Sequence, residues 1–427
     1  YYCLFGMKPV HAGLLEYVHK KDSAFSWKVK NIKQFPLGKL FHFQMTSQKW
    51  QNILWKHDLL LFMPKKADIK DKALILNTGG RPRGKFYFFA FALANRIGAP
   101  VAVLFQIPNQ PLFGGKKEDS LIAETFVRYL KTGDESYPLL FPMVKSVVRA
   151  MDVLQTYSKK NLENPIQSFI ITGSSKRGWT SWLTAAADSR IIALIPMVID
   201  TLNMARQIEL QYRSYGKPSR KLHDYKERGL LEILGKKEAK KLISLVDPYA
   251  YRRRIQVPKL ILNGTNDPYW VVDSLNLYWK GLQGEKFLLY VPNAGHGLRE
   301  KGKRGFSGFQ RAYNALCAFT RNIFTQKPMP NISWKLKKSK KELSITTHSH
   351  PKPVGGRLWI AYSPKRDFRK AEWTSRKISL WDCLAEGKAE YPQSGYMAFY
   401  IELDFQTQGI PFHLSTQILV ASPQKEQ

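Results

Sequence analysis

Acidic residues are scarce in this chain. Only 33 aspartates and glutamates face 67 lysines and arginines, which leaves a formal charge of +34. A field of that sign concentrates anions such as lipid headgroups or acidic polysaccharide near the surface. The basic residues are nevertheless spread along the chain, as they would be in an organism that favours lysine. No RNP-type motif, zinc knuckle or recognisable helix-turn-helix accompanies them, so nucleic acid is a poor candidate partner. Cysteine is scarcer still: Cys3, Cys317 and Cys383 are the only three. Their odd count and wide spacing give neither a disulfide framework nor a zinc pattern, leaving room for one bridge at most. No apolar run reaches the ~18 residues that span a bilayer; the nearest, Phe86 to Phe105, is broken by Asn95 and Arg96. No internal repeat is visible. The chain begins at Tyr1 rather than methionine, and a targeting segment ahead of it is left open. What remains is ample material for a large core, 44% hydrophobic and 13% aromatic, in a length that suggests two or three domains.

Short apolar runs of strand length punctuate the first two thirds: Asp58–Met63, Ala73–Leu76, Val101–Phe105, Ser168–Thr172, Ile191–Ile199, Lys259–Leu262 and Lys286–Val291. Between them, Leu121 to Leu130 and Val144 to Tyr157 carry apolar residues at helical spacing, and a further helix runs to Ala187. Continuous apolar strands alternating with amphipathic helices imply a doubly wound, mostly parallel sheet covered on both faces. Residues 1 to about 50 read as a mixed entry segment. The stretch 203–256 interrupts the rhythm with lysine- and arginine-rich helical text and is expected to form a lid over the strand ends. From about Asn331 the period changes to two, as in Trp334–Lys337 and Met397–Leu403, so residues 1–330 read as the α/β domain and 331–427 as an all-β, sandwich-like domain.

The chemistry is concentrated after the strand Phe169–Thr172. There the chain runs Gly173-Ser174-Ser175-Lys176-Arg177-Gly178-Trp179 into a helix. A strand, a tight small-residue turn and a helix form the setting of a nucleophile elbow, although the second glycine comes one residue later than in G-x-S-x-G. Two further turns follow core strands in the chain order that such hydrolases use. Asn263-Gly264-Thr265-Asn266-Asp267-Pro268 presents a carboxylate, and Pro292-Asn293-Ala294-Gly295-His296-Gly297 presents an imidazole. Singly, an aspartate before proline caps a turn and a histidine beside glycines is a solvated loop residue; three such features in order point to a triad. Ser175 is then nucleophile, His296 base and Asp267 orienting acid, with Ser174 and Asp200 as rivals. The oxyanion hole is expected from the Lys176 N–H and from Thr78 and Gly79 in the Asn77–Gly80 loop. Arg177, Tyr269 and Trp270 are expected to touch substrate. The scheme needs no metal or organic cofactor.

The string Gly173-Ser174-Ser175-Lys176-Arg177-Gly178-Trp179-Thr180 resembles the G-x-S-K-R-G-W-T signature of the PhoPQ-activated pathogenicity-related protein family. Gln106–Pro111, Val246–Tyr249, Pro258–Ile261 and Val291–Ala294 resemble it too, so that the likeness runs from about Tyr17 to Leu298. It implies an α/β-hydrolase core with a C-terminal β-domain, and a bacterial, periplasmic or secreted protein linked to virulence. The family's D-H becomes Gly295-His296 here, which removes a carboxylate beside the histidine. The elbow is also similar to that of glucuronoyl esterases, which implies a saccharide ester as one substrate class. The reading is therefore a serine esterase, amidase or peptidase. The alternative is a catalytically weak hydrolase fold whose basic surface holds an anionic partner, lipopolysaccharide or a membrane.

Overall fold

A computed structural model of the chain describes residues 12–303 and 305–424. Strands β1 (Ser26–Phe35), β2 (Gly38–Trp50) and β3 (Ile53–Pro64) form an antiparallel meander. It is continued by six mutually parallel strands: β4 (Lys72–Asn77), β5 (Val101–Leu104), β6 (Ser168–Ser174), β7 (Ile191–Met197), β8 (Lys259–Gly264) and β9 (Lys286–Val291). The order across the nine-stranded sheet is β1-β2-β3-β5-β4-β6-β7-β8-β9. After β4 the chain winds first to one side, to β5, and then to the other, to β6. That reversal opens a crevice at the carboxyl ends of β4 and β6, where open α/β sheets bind ligands.

Both faces of the sheet are covered, which is why its strands read as unbroken apolar text. Leu59, Leu61, Ile75, Phe169 and Ile171 pack in one core with helices Glu118–Thr132, Leu140–Asn161 and Lys176–Ala187. Leu60, Phe62, Leu74 and Ile170 pack in another with Gly84–Ile97 and Gln310–Phe324. The run Phe86–Phe105 is thus not one element: a helix ends at Gly98, whose left-handed φ of 66° closes it, and β5 follows. The first fifty residues, read as an entry segment, hold most of the meander. Its outer strand hides from pattern recognition because it is an edge, with Lys28, Lys30 and Lys33 all exposed.

Nine strands follow the helix Gln310–Phe324: β10 (Asn331–Lys338), β11 (Glu342–His350), β12 (Gly355–Ser363), β13 (Thr374–Lys377), β14 (Leu380–Trp381), β15 (Leu384–Glu390), β16 (Tyr396–Thr407), β17 (Ile410–Ser415) and β18 (Leu419–Ala421). They form two antiparallel sheets, β10-β11-β15-β14 and β13-β12-β16-β17, with β18 on β16. The sheets face each other so closely that a Cβ on Gly387 would stand 2.8 Å from Leu358 of the opposite sheet. Strand β16 is buried on both faces. Its second face meets the α/β layers, where Tyr400 lies 5.5 Å from the Tyr290 ring and Glu402 accepts two 2.7 Å hydrogen bonds from Arg311. Cys317 and Cys383 are free thiols, and Cys3 lies outside the described residues. No described helix is long and apolar enough to cross a membrane.

Candidate active site

Strand β6 ends in a turn that few residues tolerate. Ser175 has φ 58° and ψ −128°, a strained backbone that lifts its side chain above the sheet at the start of the helix Lys176–Ala187. The neighbours are small by necessity. A Cβ on Gly173 would stand 2.6 Å from the Arg177 carbonyl oxygen, and one on Gly178 would stand 2.7 Å from Ile199. The displaced second glycine therefore serves the packing of the helix against the chain leaving β7. Ser174 is exposed at the end of β6, and it is Ser175 that meets the imidazole.

Strands β8 and β9 bring the other two residues to the same place. The Ser175 hydroxyl donates to His296 Nε2 at 2.9 Å, and His296 Nδ1–H donates to Asp267 Oδ2 at 2.8 Å, with the ring tautomer assigned from this network. Asp267 is 6% exposed, and its second oxygen accepts the Tyr269 N–H at 2.9 Å. Gly264 lets the two loops approach, since a Cβ there would stand 2.4 Å from the Ala294 carbonyl oxygen. The Asn266 N–H then donates to that carbonyl at 2.9 Å.

Both loops are also held from the far end of the chain. Asn266 Nδ2 donates to the Ala371 carbonyl at 2.7 Å. Asn293 and the Trp373 main chain exchange two hydrogen bonds of 2.8 Å each. Arg366 reaches Asp273 at 2.6 Å. The segment that supplies these contacts lies between β12 and β13.

The rival acid stands elsewhere. Asp200 is buried and accepts the Tyr278 hydroxyl at 2.5 Å, and burial pushes its carboxyl up to about 7. A second serine–histidine pair exists, Ser47 with His57 at 3.0 Å, but His57 passes its other nitrogen to the Phe105 carbonyl rather than to a carboxylate. Both residues are fully buried, and burial lowers His57 to about 4.

The remaining expected site residues divide. Tyr269 covers the imidazole, ring centroids 4.3 Å apart and 31° from parallel, and Trp270 lines the adjoining cavity. Lys176 opens the helix, where N–H groups lack helical acceptors and the helix dipole favours an anion. Thr78 is corrected as an oxyanion donor: its N–H is spent on the Leu104 carbonyl at 2.8 Å, completing the β4–β5 ladder. The Gly79 N–H has no internal acceptor among the described residues, while its Cα faces Arg177, whose Nη2 would lie 2.3 Å from a Cβ. Arg177 is also corrected as a substrate contact. Its guanidinium grips Glu118 at 2.6 and 2.7 Å and the Ile107 carbonyl at 2.6 Å, outside the cavity wall. Burial would raise Glu118, but Arg177 and Lys176 outweigh it and hold the carboxyl near 2.

Glu118, Asp119 and Tyr225 were not legible as site residues. Asp119 stands 3.5 Å from Lys176 Nζ and accepts the Tyr225 hydroxyl at 3.2 Å beside Ser175. In sequence the pair reads as an acidic first helical turn. The one available signal was its position shortly after Gln106–Pro111, a segment that carries the family resemblance.

Beside Ser175 opens a cavity with about 840 Å³ of atom-free space, part of it continuous with solvent. Asp119, Lys176 and Tyr225 line its mouth. Its walls are apolar, and most come from residues 199–246, whose short helices include Met204–Tyr215 and Lys237–Val246. Trp179 Nε1–H donates to the Val246 carbonyl at 2.6 Å and so ties the helix after the elbow to that wall. Away from the cavity, Glu402, Asp404 and His413 bring ligand atoms within 4.8 Å of one another, but Arg311 and Arg357 already neutralise the carboxylates.

Residues 14–369 match the PhoPQ-activated pathogenicity-related protein family. The chain belongs to that family. The match extends beyond the segments read from the sequence and takes in β10 to β12. A curated relative, autocrine proliferation repressor protein A of Dictyostelium discoideum, is 30% identical over 434 residues, covering 91% of this chain and 85% of its own. Acetyl xylan esterase 1 from Thermoanaerobacterium sp. superposes with a TM-score of 0.50 at 15% identity, covering 74% of this chain and 96% of that one. An acetyl xylan esterase from Paenibacillus sp. R4 gives 0.49 at 14% identity over 71% and 91% of the two chains. At 15% identity the likeness to the Thermoanaerobacterium enzyme carries the fold alone, and the fold is that of the α/β-hydrolases.

Proposed function

We propose that this family member is a serine hydrolase that cleaves a carboxylic ester through an acyl-enzyme on Ser175. One observation carries the reading: the continuous relay from Asp267 through His296 to a Ser175 held in a strained turn at the mouth of a cavity. A serine hydroxyl is a weak nucleophile until a base takes its proton. His296 Nε2 is placed to do so, while Asp267 fixes the proton on Nδ1 and stabilises the imidazolium that forms. As Ser175 Oγ bonds to the carbonyl carbon, negative charge develops on the carbonyl oxygen. The Lys176 N–H is the first donor to it, and the Gly79 N–H is the donor remaining in the opposite loop. Collapse of the intermediate breaks the bond to the leaving alcohol, which takes the proton from His296. Water activated by the same histidine then releases the acid and restores the serine.

A second reading treats the chain as a signalling or binding protein built on this fold. The observation favouring it is the name of the Dictyostelium relative, a proliferation repressor. Labelling with a fluorophosphonate separates the two. The parent protein should label, and Ser175→Ala and His296→Ala should each abolish labelling. A folded parent that does not label, or a Ser175→Ala variant that still does, overturns the hydrolase reading.

A further inference from the structure

The cavity beside Ser175 has an orientation relative to the relay, and that orientation assigns the two halves of an ester. The leaving group must sit beside His296, because that imidazole hands it a proton. Ser175 and Lys176 line the cavity; His296 does not. The space opens from Ser175 and Lys176, and Tyr269, which stacks on the imidazole, walls it off from His296, which leaves it to the acyl substituent.

Its walls specify what that substituent is. Leu222, Leu231, Leu234, Leu242, Ile243 and Val246 come from the segment between β7 and β8, and Phe126, Trp179 and Trp270 close the remaining sides. Past the mouth the charged residues end. A saccharide or a charged side chain placed there would lose its hydration for few hydrogen-bond partners, Thr201, Gln207 and the Trp270 indole among them, at a cost an apolar group does not incur. An acetyl group would leave the walls unfilled. About 80 Å³ of the space admits the centre of a water-sized group, and at about 10–15 Å³ per group that is room for roughly five to eight of them.

We propose that the substrate is an ester of an apolar acyl chain of roughly five to eight carbons, received by a pocket that the β7–β8 insertion builds as a lid. The inference rests on the hydrolase reading above. Each methylene moved from water into such walls contributes a factor of about four to binding, so three well-buried ones give on the order of fiftyfold.

The test is a series of p-nitrophenyl esters, acetyl, butanoyl, hexanoyl, octanoyl and decanoyl, assayed with the full chain beside fluorophosphonate labelling of Ser175. The expected result is a rise in kcat/KM of tenfold or more from acetyl to octanoyl. Ile243→Trp, which fills the pocket, should lower the octanoyl-to-acetyl ratio of kcat/KM by tenfold or more. A chain-length profile that is flat or falls overturns the acyl assignment while leaving the hydrolase reading intact. Absence of both turnover and labelling overturns the hydrolase reading, and this inference with it. Should Ile243→Trp not fold, Leu234→Phe tests the same ratio, and an unchanged ratio in a folded, labelling variant also refutes the pocket.

Discussion

Replacing Asp267 with asparagine is the sharpest test of the relay, because the substitution changes charge and donor pattern while leaving shape alone. In the parent, one Asp267 oxygen accepts the Tyr269 N–H at 2.9 Å and the other accepts His296 Nδ1–H at 2.8 Å. In Asp267→Asn the amide oxygen must stay toward Tyr269, since the NH₂ group cannot accept from an N–H. The NH₂ group then faces Nδ1 and can be satisfied only if Nδ1 gives up its proton. The ring changes tautomer, Nε2 carries the hydrogen, and the Ser175 hydroxyl loses its acceptor. A wrong tautomer in a serine triad lowers kcat by about 10⁴, and about 10³ to 10⁴ is expected here, equivalent to ~4–5.5 kcal/mol of barrier. The assay is kcat/KM on the best ester of the series together with the fluorophosphonate labelling rate, and Tm confirms folding. The parallel variant, Asp200→Asn, should keep activity within about tenfold of the parent. An Asp267→Asn protein whose activity stays within tenfold of the parent, or an Asp200→Asn protein that loses a thousandfold, would refute the assignment of the acid.

Asp200→Asn also makes a prediction about stability. Folding raises the Asp200 carboxyl from 3.8 to about 7, so the folded state favours its protonated form; that stability is complete below the unfolded value and is lost as pH rises through about 7. Asparagine removes the loss, so the gain in Tm over the parent should be larger at pH 8 than at pH 4, and equal gains at both would contradict it. Gly178→Ala places a Cβ 2.7 Å from Ile199 and 2.9 Å from the Gly173 carbonyl oxygen, and about 1–3 kcal/mol of stability should be lost, read by denaturant unfolding. Glu402→Gln leaves the Arg311 guanidinium buried against a neutral amide, which should lower stability by about 3 kcal/mol and dislodge the β-sandwich; a change below about 0.5 kcal/mol would show the pair to be dispensable.

The parallel sheet was legible because its strands are apolar on both sides and each helix between them keeps one apolar stripe. The strand Lys286–Val291 and the helix end at Ala187 fall where the pattern puts them. Of the antiparallel meander only β3 was legible, through Asp58–Met63, since β1 is a solvated edge and β2 mixes lysine and glutamine with its aromatics. Ser175, Asp267 and His296 could be found because each follows a core strand directly, so order along the chain translates into proximity. Thr78 and Arg177 failed for a different reason. Their main-chain or side-chain donors are consumed by partners distant in sequence, Leu104 for one and Glu118 for the other. No local text records that. The lining of the cavity was equally hidden, because an amphipathic lid helix and an amphipathic core helix look alike until the neighbour they face is known.

The grip of residues 366–373 on the loops of Asp267 and His296 sets a timetable for a chain emerging from the ribosome. The elbow and its serine are made before residue 180, and the histidine before residue 300, yet the contacts from Ala371 and Trp373 arrive only some seventy residues later. A nascent chain stopped at residue 330 would hold all three reacting groups with two of their loops unbraced. Catalytic competence is then expected to switch on abruptly once residues 366–373 have emerged, well after the last of the three reacting groups. Stalled-chain complexes ending at residues 330 and 420 would show it: fluorophosphonate labelling confined to the longer one supports the timetable, and equal labelling of both rules it out.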